Sequence, residues 1–496
     1  MLELGFASGD PLDQAVDLLI IVCGETDLEG EGVAGRADAR LDGLLRRAAA
    51  EERFAAKPGQ SLLVHTHGAL PARRVALIGL GAISSGDDPR ALRSAAGTAV
   101  RIASAVGAVR AALTWPSGAG AATLSAVAEG ASLGAYRFDR YLTDDRSRAP
   151  SLATLTLIPA FAVTAETAAE DLARARITAR AVARARDLVN EPAGILTPTR
   201  LAALATEWAE GAGLSVEVLD RAACAELGMG LYLAVAQGSL EEPRFIHLAW
   251  KPPGARRRLV LVGKGVTFDS GGLSLKTNEG MLDMKTDMAG AAAVLAATVA
   301  AGEEKLPIEV HALAACTENM PSGNSYKLGD VLRSLNGKTV EINNTDAEGR
   351  LTLADAMTFG LRLRPDALLD FATLTGACIV ALGPHIAGLM SNDEGLAAAF
   401  LSAAEQSGEE MWRLPLPPRL AEQLKSEIAD LKNTGERWGG ALTAGLFLKE
   451  FAGDVPWAHV DIAGPSSANK EQGHVAKGGT GFGVASILNY LRRSAT

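Results

Sequence analysis

The amino-acid sequence predicts an α/β protein: a smaller N-terminal α/β domain is joined by a long helix to a larger domain with a mostly parallel, helix-flanked central sheet. Short runs of β-branched and apolar residues alternate along the chain with alanine-rich stretches of helical pattern, which is typical of this class. The length of 496 residues allows more than one domain, at about 150 residues each. We place the domains at residues 1–165 and 191–496, with residues 166–190 as the linker helix.

Two strands and two helices are predicted in the N-terminal domain. Val16–Cys23 and Arg74–Leu80 are apolar runs bounded by Gly, Asp or Pro, which indicates buried strands. Ala91–Val106 and Ala121–Tyr141 are alanine-rich and are predicted as helices. The second helix contains residues 130–134, GASLG, which match the GxSxG pattern of a serine nucleophile. Because no strand precedes this pattern, we interpret it as close helix packing.

The linker helix and the larger domain follow from the same reasoning. Residues Thr164–Leu188 contain neither Gly nor Pro and can form a helix of about six turns. Beyond it, helical stretches at Ala289–Ala301 and Leu351–Leu363 alternate with strand-like runs, so we expect helices on both faces of the sheet. The predicted strands are Phe245–Ala249, Arg258–Val262, Ile308–Ala314, Thr339–Ile342, Ala367–Ala372 and Trp457–Ile462.

Composition and charge exclude several classes of protein. With 48% hydrophobic and 21% charged residues the chain has an ordinary globular composition. Its net charge of -10 disfavours nucleic-acid and anionic-membrane partners. The four cysteines form no CxxC pair, and the acidic N-terminus lacks the basic region of a signal peptide. We therefore expect a soluble cytoplasmic protein with no membrane partner.

Charged side chains follow three predicted strands. Lys264, Asp269 and Lys276 come after the strand at Arg258–Val262, and the segment Asn344–Arg350 follows another strand. The segment Thr373–Gly376 follows a third. Since ligands bind at the carboxyl edge of an open α/β sheet, we expect these three segments to meet in one crevice.

Four carboxylates in this part of the chain point to metal chemistry. Asp269, Asp287, Asp346 and Glu348 stand at strand or helix ends, where each taken singly could be a turn or helix-capping residue. Gathered in one crevice they would repel one another unless cations lay between them. A pair of metal ions is the economical solution, and such a pair can polarise a carbonyl or phosphoryl oxygen and activate a water.

Several motifs resemble the cytosolic leucyl aminopeptidase family of two-metal exopeptidases. These motifs are VGKGVTFDSGGLSLK, MKTDMAGAA, TENMPSGN, NNTDAEGRL and ATLTGA, in this order, and the similarity spans most of residues 187–490. The N-terminal part resembles the family only loosely. Two residues depart from the common pattern: Thr277 replaces a proline and Asn343 replaces an apolar residue. Neither is at a ligand position.

The resemblance implies a role for each residue of the motifs. Two divalent ions, Zn²⁺ or Mn²⁺ with Mg²⁺ as a further candidate, would be bound by Lys264, Asp269, Asp287, Asp346 and Glu348. Asp269 and Glu348 would bridge both ions, and Lys264 would have to be neutral to bind. Lys276 would polarise the scissile carbonyl. Arg350 would hold a bicarbonate ion as general base.

The implied substrates are peptides with a free N-terminus, attacked by a water shared between the ions. The first side chain would enter a pocket formed by Met284, Thr373, Leu374 and Gly376. Because methionine is flexible, we expect the pocket to accept leucine and other apolar side chains. The resemblance also implies a homohexamer built as a dimer of trimers.

Two alternatives remain open from the residues. A two-metal phosphoester hydrolase would use the same ions, with Lys276 and Arg350 binding the phosphate. A DNA-binding regulatory role could accompany peptidase activity, through a patch of arginines at positions 101, 110, 137, 140, 146 and 148.

Overall fold

The computed structural model describes residues 2–81, 88–116, 122–144 and 152–495. The chain divides into two compact units. One comprises residues 1–180 and 469–477, and the other comprises residues 181–468 and 478–496. The dividing point after Arg180 falls within the helix Ala165–Asn190, which covers the predicted linker. Within the described ranges no helix combines the length and the apolarity needed to cross a membrane.

The N-terminal unit is built on a sheet of mostly parallel strands. Its strands are β1 Glu3–Phe6, β2 Leu18–Cys23, β3 Ser61–His65, β4 Arg74–Gly79, β5 Arg110–Thr114 and β6 Thr154–Leu157, in the spatial order β1-β6-β5-β2-β4-β3. Only the edge pair β3–β4 is antiparallel among these described strands. Every residue of β2 is buried, because the sheet carries apolar clusters on both of its faces.

Helices cover this sheet. They are α1 Val33–Arg40, α2 Leu44–Glu51, α3 Pro89–Ala105, α4 Ala122–Gly134 and the first half of α5 Ala165–Asn190. A Cβ atom added at Gly130 would lie 2.1 Å from the carbonyl oxygen of Arg93, so glycine lets α3 and α4 approach closely. The GxSxG pattern is therefore helix packing, as predicted. The α4 helix is shorter than predicted and ends at Gly134, because residues 137–144 are mostly exposed and bury no apolar face.

The second unit is built on a larger mixed sheet. Its strands are β7 Ser215–Leu219, β8 Arg244–Trp250, β9 Arg258–Asp269, β10 Glu309–Asn319, β13 Ala367–Ala372, β14 Ala387–Ser391, β15 Met411–Arg413 and β17 Trp457–Asp461, in the order β15-β14-β17-β13-β9-β10-β8-β7. The four central strands are parallel, and β8 and β14 add antiparallel neighbours. The smaller strands are β11 Val331–Arg333, β12 Thr339–Glu341, β16 Leu431–Lys432, β18 Ser467–Ala468 and β19 Gly478–Gly479.

The helices of this unit lie between and over the strands. They are α6 Pro198–Ala212, α7 Arg221–Leu227, α8 Gly230–Ala236, α9 Asn278–Met281, α10 Ala289–Glu303, α11 Gly349–Leu361, α12 Gly376–Leu382, α13 Glu394–Ser407, α14 Pro418–Ala421, α15 Gly440–Lys449 and α16 Val484–Ser494. A predicted α/β architecture with a mostly parallel, helix-flanked sheet is thus confirmed.

Strand β9 is longer than its sequence predicts. It continues to Asp269 instead of ending at Val262, although Gly263 and Gly265 lie in its path and glycine weakens strands. A Cβ atom at Gly263 would lie 2.5 Å from the Cα atom of Ala291, so glycine allows α10 to pack directly on the strand. The glycines after Val262 therefore do not end the strand, and Gly263 instead provides room for a close helix contact.

A bulge in β9 sets the direction of its functional side chains. Thr317 of β10 pairs with Val266, whereas the next residue, Glu318, pairs with Phe268, which leaves Thr267 as an extra residue. Side chains alternate between the faces of a strand, so Lys264 and Asp269 would otherwise face opposite ways. With the extra residue between them, both line the same cavity.

Candidate active site

A cavity of about 330 Å³ lies at the carboxyl edge of the larger sheet. It is lined by the second half of β9 and the segment after it, by the short 3₁₀ helix Met284–Thr286, by residues before and at the start of α11, and by the segment after β13. Thr434, Gly440 and Ala463 complete the lining. Among them are all but one of the predicted site residues: Lys264, Asp269, Lys276, Met284, Asp287, Asp346, Arg350, Thr373, Leu374 and Gly376. The exception, Glu348, is buried and contacts Lys264.

Lys264 is the centre of a buried charge cluster. Its Nζ atom lies 2.7 Å from Asp287 Oδ2 and 2.8 Å from Glu348 Oε1. The same ammonium group donates to the carbonyl oxygen of Thr373 at 3.1 Å, and the Thr373 hydroxyl donates to Asp287 Oδ1 at 2.8 Å. Four segments distant in sequence are therefore fixed to one another by these contacts.

Lys276 holds the second pair of carboxylates. Its Nζ atom lies 2.8 Å from Asp269 Oδ2 and 2.5 Å from Asp346 Oδ1. Asp269 Oδ1 also accepts from the Gly271 backbone N–H at 2.8 Å, so this residue forms the anticipated Asx turn and still faces the cavity. Lys276 and Asp346 are more exposed than the Lys264 cluster.

Capping does not explain the carboxylates at the helix starts. Helix α10 begins at Ala289 with Met288 as its cap, and the Asp287 side chain instead bonds to Lys264 and Thr373. Glu348 stands at the cap position of α11, but its side chain makes no capping hydrogen bond. These two carboxylates are directed at the cavity and its cluster.

Burial governs the protonation of this cluster. It raises the pKa of Asp287 to about 6 and the pKa of Glu348 to about 8, with the neighbouring Asp269 adding repulsion in both cases. Burial by itself would lower the pKa of Lys264, but attraction to Asp287, Glu348 and Asp269 outweighs it and raises that pKa. A neutral Lys264, as the resemblance implies, therefore requires another cation to take over its carboxylate partners.

The donor set fits divalent cations. One oxygen each of Asp269, Asp346 and Glu348 lie within 4.8 Å of one another. Glu348 Oε2 is buried and has no hydrogen-bond partner among the described residues. Four carboxylates share two ammonium groups here, and hard divalent cations prefer oxygen ligands of this kind.

Arg350 lies in the first turn of α11 and also lines the cavity. Its Nη1 atom donates to the carbonyl oxygen of Asn433 at 2.8 Å, and its buried Nε atom has no partner in the described part of the chain. Burial lowers the pKa of Arg350 to about 10, although Glu348 and Asp461 favour its charged form. The guanidinium thus keeps donors available for a planar anion.

The sequence analysis assigned no role to three polar residues that support the site. Asn319 stands opposite Asp269 in the β9–β10 pairing and donates from Nδ2 to Asp269 Oδ1 at 2.8 Å. Asn433 accepts from Arg350 through its carbonyl group, and its Nδ2 atom donates to the carbonyl oxygen of Asn344 at 2.6 Å. Asp461 binds the segment after β13. Asn319 lies in a motif quoted above and Asp461 in a predicted strand, but only the assembled structure shows what they contact.

The arginine patch that could serve DNA is partly used in internal contacts. Arg101 donates to the carbonyl oxygens of Gly473 and Val475, and Arg137 pairs with Asp139 at 3.5 Å. Arg146 and Arg148 lie outside the described residues. Arg110 and Arg140 are exposed, so the DNA-binding alternative stays a prediction.

Fold and site together define an α/β protein with an acidic, lysine-containing cavity at the carboxyl edge of its larger sheet. The family model described as the cytosol aminopeptidase family, catalytic domain, matches residues 183–488, and the model of that family's N-terminal domain matches residues 20–145. The chain belongs to the cytosol aminopeptidase family and is an aminopeptidase.

Individual relatives agree along the whole chain. A probable cytosol aminopeptidase from Cyanothece sp. is 44% identical over 97% of both chains. One from Geobacter sp. is 44% identical over 99% of this chain and 100% of its own. Among solved structures, a variant of tomato leucine aminopeptidase matches with a TM-score of 0.91 at 38% identity, covering 99% of this chain and 97% of its own. The bottromycin maturation enzyme BotP in complex with Mn matches with a TM-score of 0.85 at 37% identity, covering 97% and 100%.

Proposed function

We propose that this aminopeptidase is metal-dependent and releases N-terminal amino acids, preferably leucine and other apolar residues, from peptides. The observation that carries the proposal is that four carboxylates surround only two ammonium groups, those of Lys264 and Lys276. In addition, the buried Oε2 atom of Glu348 has no hydrogen-bond partner among the described residues. The structure of the similar enzyme BotP in complex with Mn also supports metal dependence.

Two divalent ions would be held by Lys264, Asp269, Asp287, Asp346 and Glu348. The candidate ions are Zn²⁺ and Mn²⁺, with Mg²⁺ as a further candidate. Such ions supply a polarised carbonyl and a water of lowered pKa. Asp269 and Glu348 are proposed to serve both ions. The proposal is supported by Asp269, which pairs with Lys276 and also lies within electrostatic range of Lys264 and Glu348.

Lys276 is the proposed electrophilic residue. Its ammonium is held at the cavity by Asp269 and Asp346, which raise its pKa against the effect of burial and so keep it charged. When cations neutralise these carboxylates, the ammonium can donate to the carbonyl oxygen of the scissile bond. Negative charge develops on that oxygen in the transition state, which is where a fixed donor lowers the barrier.

Arg350 is proposed to hold bicarbonate, which would accept the proton of the attacking water. The guanidinium is buried and its Nε atom has no partner among the described residues, and a fork of two donors matches a planar anion. No histidine lines the cavity among the described residues, so an external base of this kind suits the site.

Substrate selection is proposed to depend on the wall formed by Met284, Thr373, Leu374 and Gly376. These four residues line the same cavity as Lys264 and Asp287, and Thr373 hydrogen-bonds directly to both of those side chains. The free amino group of the substrate would bind beside the carboxylates, so that only the first residue reaches Lys276. We further propose a cytoplasmic homohexamer acting on short peptides.

The test is hydrolysis of leucine p-nitroanilide and its N-acetyl derivative, after chelation and after adding back Mn²⁺ or Zn²⁺. We expect activity on the free amine alone, lost with chelation and restored by metal. Metal analysis should find two ions per chain, and fewer in Glu348→Gln. Cleavage of the acetylated substrate, or full activity in chelator, would contradict the proposal.

A further inference from the structure

The wall of the cavity is attached to the sheet by one buried carboxylate. Asp461, the last residue of β17, is fully buried and lies beside the segment that follows β13. Its Oδ1 atom accepts from the backbone N–H groups of Leu374 at 3.2 Å and Ala463 at 3.1 Å. Its Oδ2 atom accepts from the Thr375 hydroxyl at 2.7 Å. Leu374, Thr375 and Ala463 all line the cavity.

The same segment is fixed on its other side by the charge cluster. Thr373 accepts from Lys264 through its carbonyl and donates to Asp287 through its hydroxyl. Thr375 then begins α12, where its Oγ1 atom accepts from the Cys378 N–H at 3.0 Å. Residues 373–375 are therefore held between Lys264 and Asp287 on one side and Asp461 on the other.

Further buried polar groups lie in the same pair of strands as Asp461. His459, two residues earlier and on the same face of β17, hydrogen-bonds through Nδ1 to Asp370 Oδ1 at 2.5 Å. Asp370 Oδ2 accepts from the Trp457 indole N–H at 2.7 Å. Burial lowers the pKa of His459, but attraction to Asp370 and, less strongly, to Asp461 raises that pKa overall. Arg350 is a cation within electrostatic range of Asp461.

We infer that Asp461 is a positioning residue that fixes the Leu374–Thr375 wall and thereby sets the affinity and selectivity for the substrate's first side chain. The inference rests on the proposed function in that the cavity receives that side chain. The wall is expected to contact the substrate equally in the ground state and in the transition state. A less firmly held wall should therefore weaken binding in both states by the same amount. KM should therefore change more than kcat.

Two pairs of variants test the contacts. Asp461→Ala removes every acceptor, whereas Asp461→Asn keeps one oxygen for the two backbone N–H groups. Thr375→Val removes the hydroxyl, whereas Thr375→Ser retains it. Asp355→Ala is the matched control, because Asp355 is also a fully buried aspartate whose oxygens accept from backbone N–H groups, here Tyr232 and Leu335, away from the cavity.

The measurements are kcat and KM on leucine and alanine p-nitroanilides with Mn²⁺, corrected for the folded fraction. We expect Thr375→Val to raise KM for leucine about tenfold, the cost of one unpaired buried group. Asp461→Ala, which leaves three donors unpaired, should raise KM at least as much, and kcat should stay within about threefold in both variants. The preference for leucine over alanine should fall as well. Thr375→Ser should restore wild-type KM, and Asp461→Asn should lie between.

Each outcome separates the inference from the proposed function. The Asp355→Ala variant should lose thermal stability but keep its KM and its preference for leucine. If Asp461 were merely structural, Asp461→Ala would behave in the same way. If folded Asp461→Ala and Thr375→Val kept both values, the inference would be overturned while the peptidase proposal stood. If Asp461→Ala did not fold, the Thr375 pair alone would decide. A wild-type enzyme inactive with metal would overturn both.

Discussion

The two units of this protein each bury an ionic group, and the two groups differ in charge balance. In the N-terminal unit, Arg93 of α3 meets Glu129 of α4 through two hydrogen bonds to Oε2, of 3.0 and 2.8 Å, with both side chains more than nine-tenths buried. One cation faces one anion. In the second unit, four carboxylates share Lys264 and Lys276, and no ion pair to Arg350 is found among the described residues.

The comparison separates a structural ion pair from a functional cluster. A balanced pair offsets part of its own desolvation, although Arg93 Nη1 is buried without a hydrogen-bond partner among the described residues. An unbalanced cluster leaves buried carboxylates with raised pKa values, as at Asp287 and Glu348, and such a cluster in a cavity is a candidate functional site. Burial of charge therefore indicates function here only where the charges fail to match.

Breaking the balanced pair should have the largest effect, and that effect should be on stability. Arg93→Ala leaves the buried Glu129 carboxylate without its cation and should lower the free energy of unfolding by about 3–5 kcal/mol. Thermal unfolding measures it, with kcat per folded molecule unchanged. The double variant Arg93→Met with Glu129→Leu should recover most of the loss. If the double variant were as unstable as the single one, the pair would be more than an isolated balanced unit.

Removing a cation from the unbalanced cluster should affect the reaction instead. Lys276→Ala should lower kcat about 10²–10³-fold, because it deletes a donor to the developing oxyanion. Stability should change little once metal is bound. Lys276→Arg keeps the charge and serves as the comparison variant. A steady-state assay with equal metal content in all three proteins makes the measurement, and equal kcat values would remove Lys276 from the mechanism.

A smaller effect is expected from the neutral support of the cluster. Asn319→Ser removes the hydrogen bond to Asp269 Oδ1 and should weaken metal binding about 10–100-fold. Titration calorimetry with Mn²⁺ measures this directly. The control is Asn392→Ser, since Asn392 bonds to Val455 and Trp457 and contributes nothing to the cavity lining. Equal affinities in both variants would show that Asn319 does not orient Asp269.

An exposed pair gives the smallest effect and calibrates the others. Lys425 and Glu422 lie 2.6 Å apart with both side chains more than two-thirds exposed. Lys425→Ala should leave stability within about 0.5 kcal/mol of wild type, because water screens the pair. Chemical denaturation provides the value. A loss as large as that of Arg93→Ala would mean that balance and burial do not distinguish these groups.

Much of the fold and of the candidate site could be predicted because local chemistry specifies it. The strand Ala367–Ala372 is observed with the bounds predicted from its apolar run, and the helix Ala165–Asn190 follows from a stretch free of Gly and Pro. The candidate site residues lie in motifs between Lys264 and Gly376, and many of them stand at the ends of strands. All of these site residues line one cavity or contact its charge cluster. Their individual roles stay predictions.

Several features were outside the reach of sequence reasoning because they depend on contacts between distant segments. Residues 469–477 belong to the N-terminal unit, where Gly473 and Val475 accept from Arg101, although they lie in sequence within the second domain. No local pattern marks such a return of the chain. Nor does one assign Asp461 to Thr375, since the two residues are 86 positions apart.

The sequence by itself determined the α/β class, the sequence positions of the charged residues and the family to which they point, because hydrophobic period and motif spacing are properties of the chain. Only the tertiary structure decided which way those residues face. The extra residue Thr267 brings Lys264 and Asp269 to one cavity, and β10 and β17 bring Asn319 and Asp461 beside it. Strand register is fixed by pairing with neighbours, so the side-chain directions of an active site are settled only when the sheet is assembled.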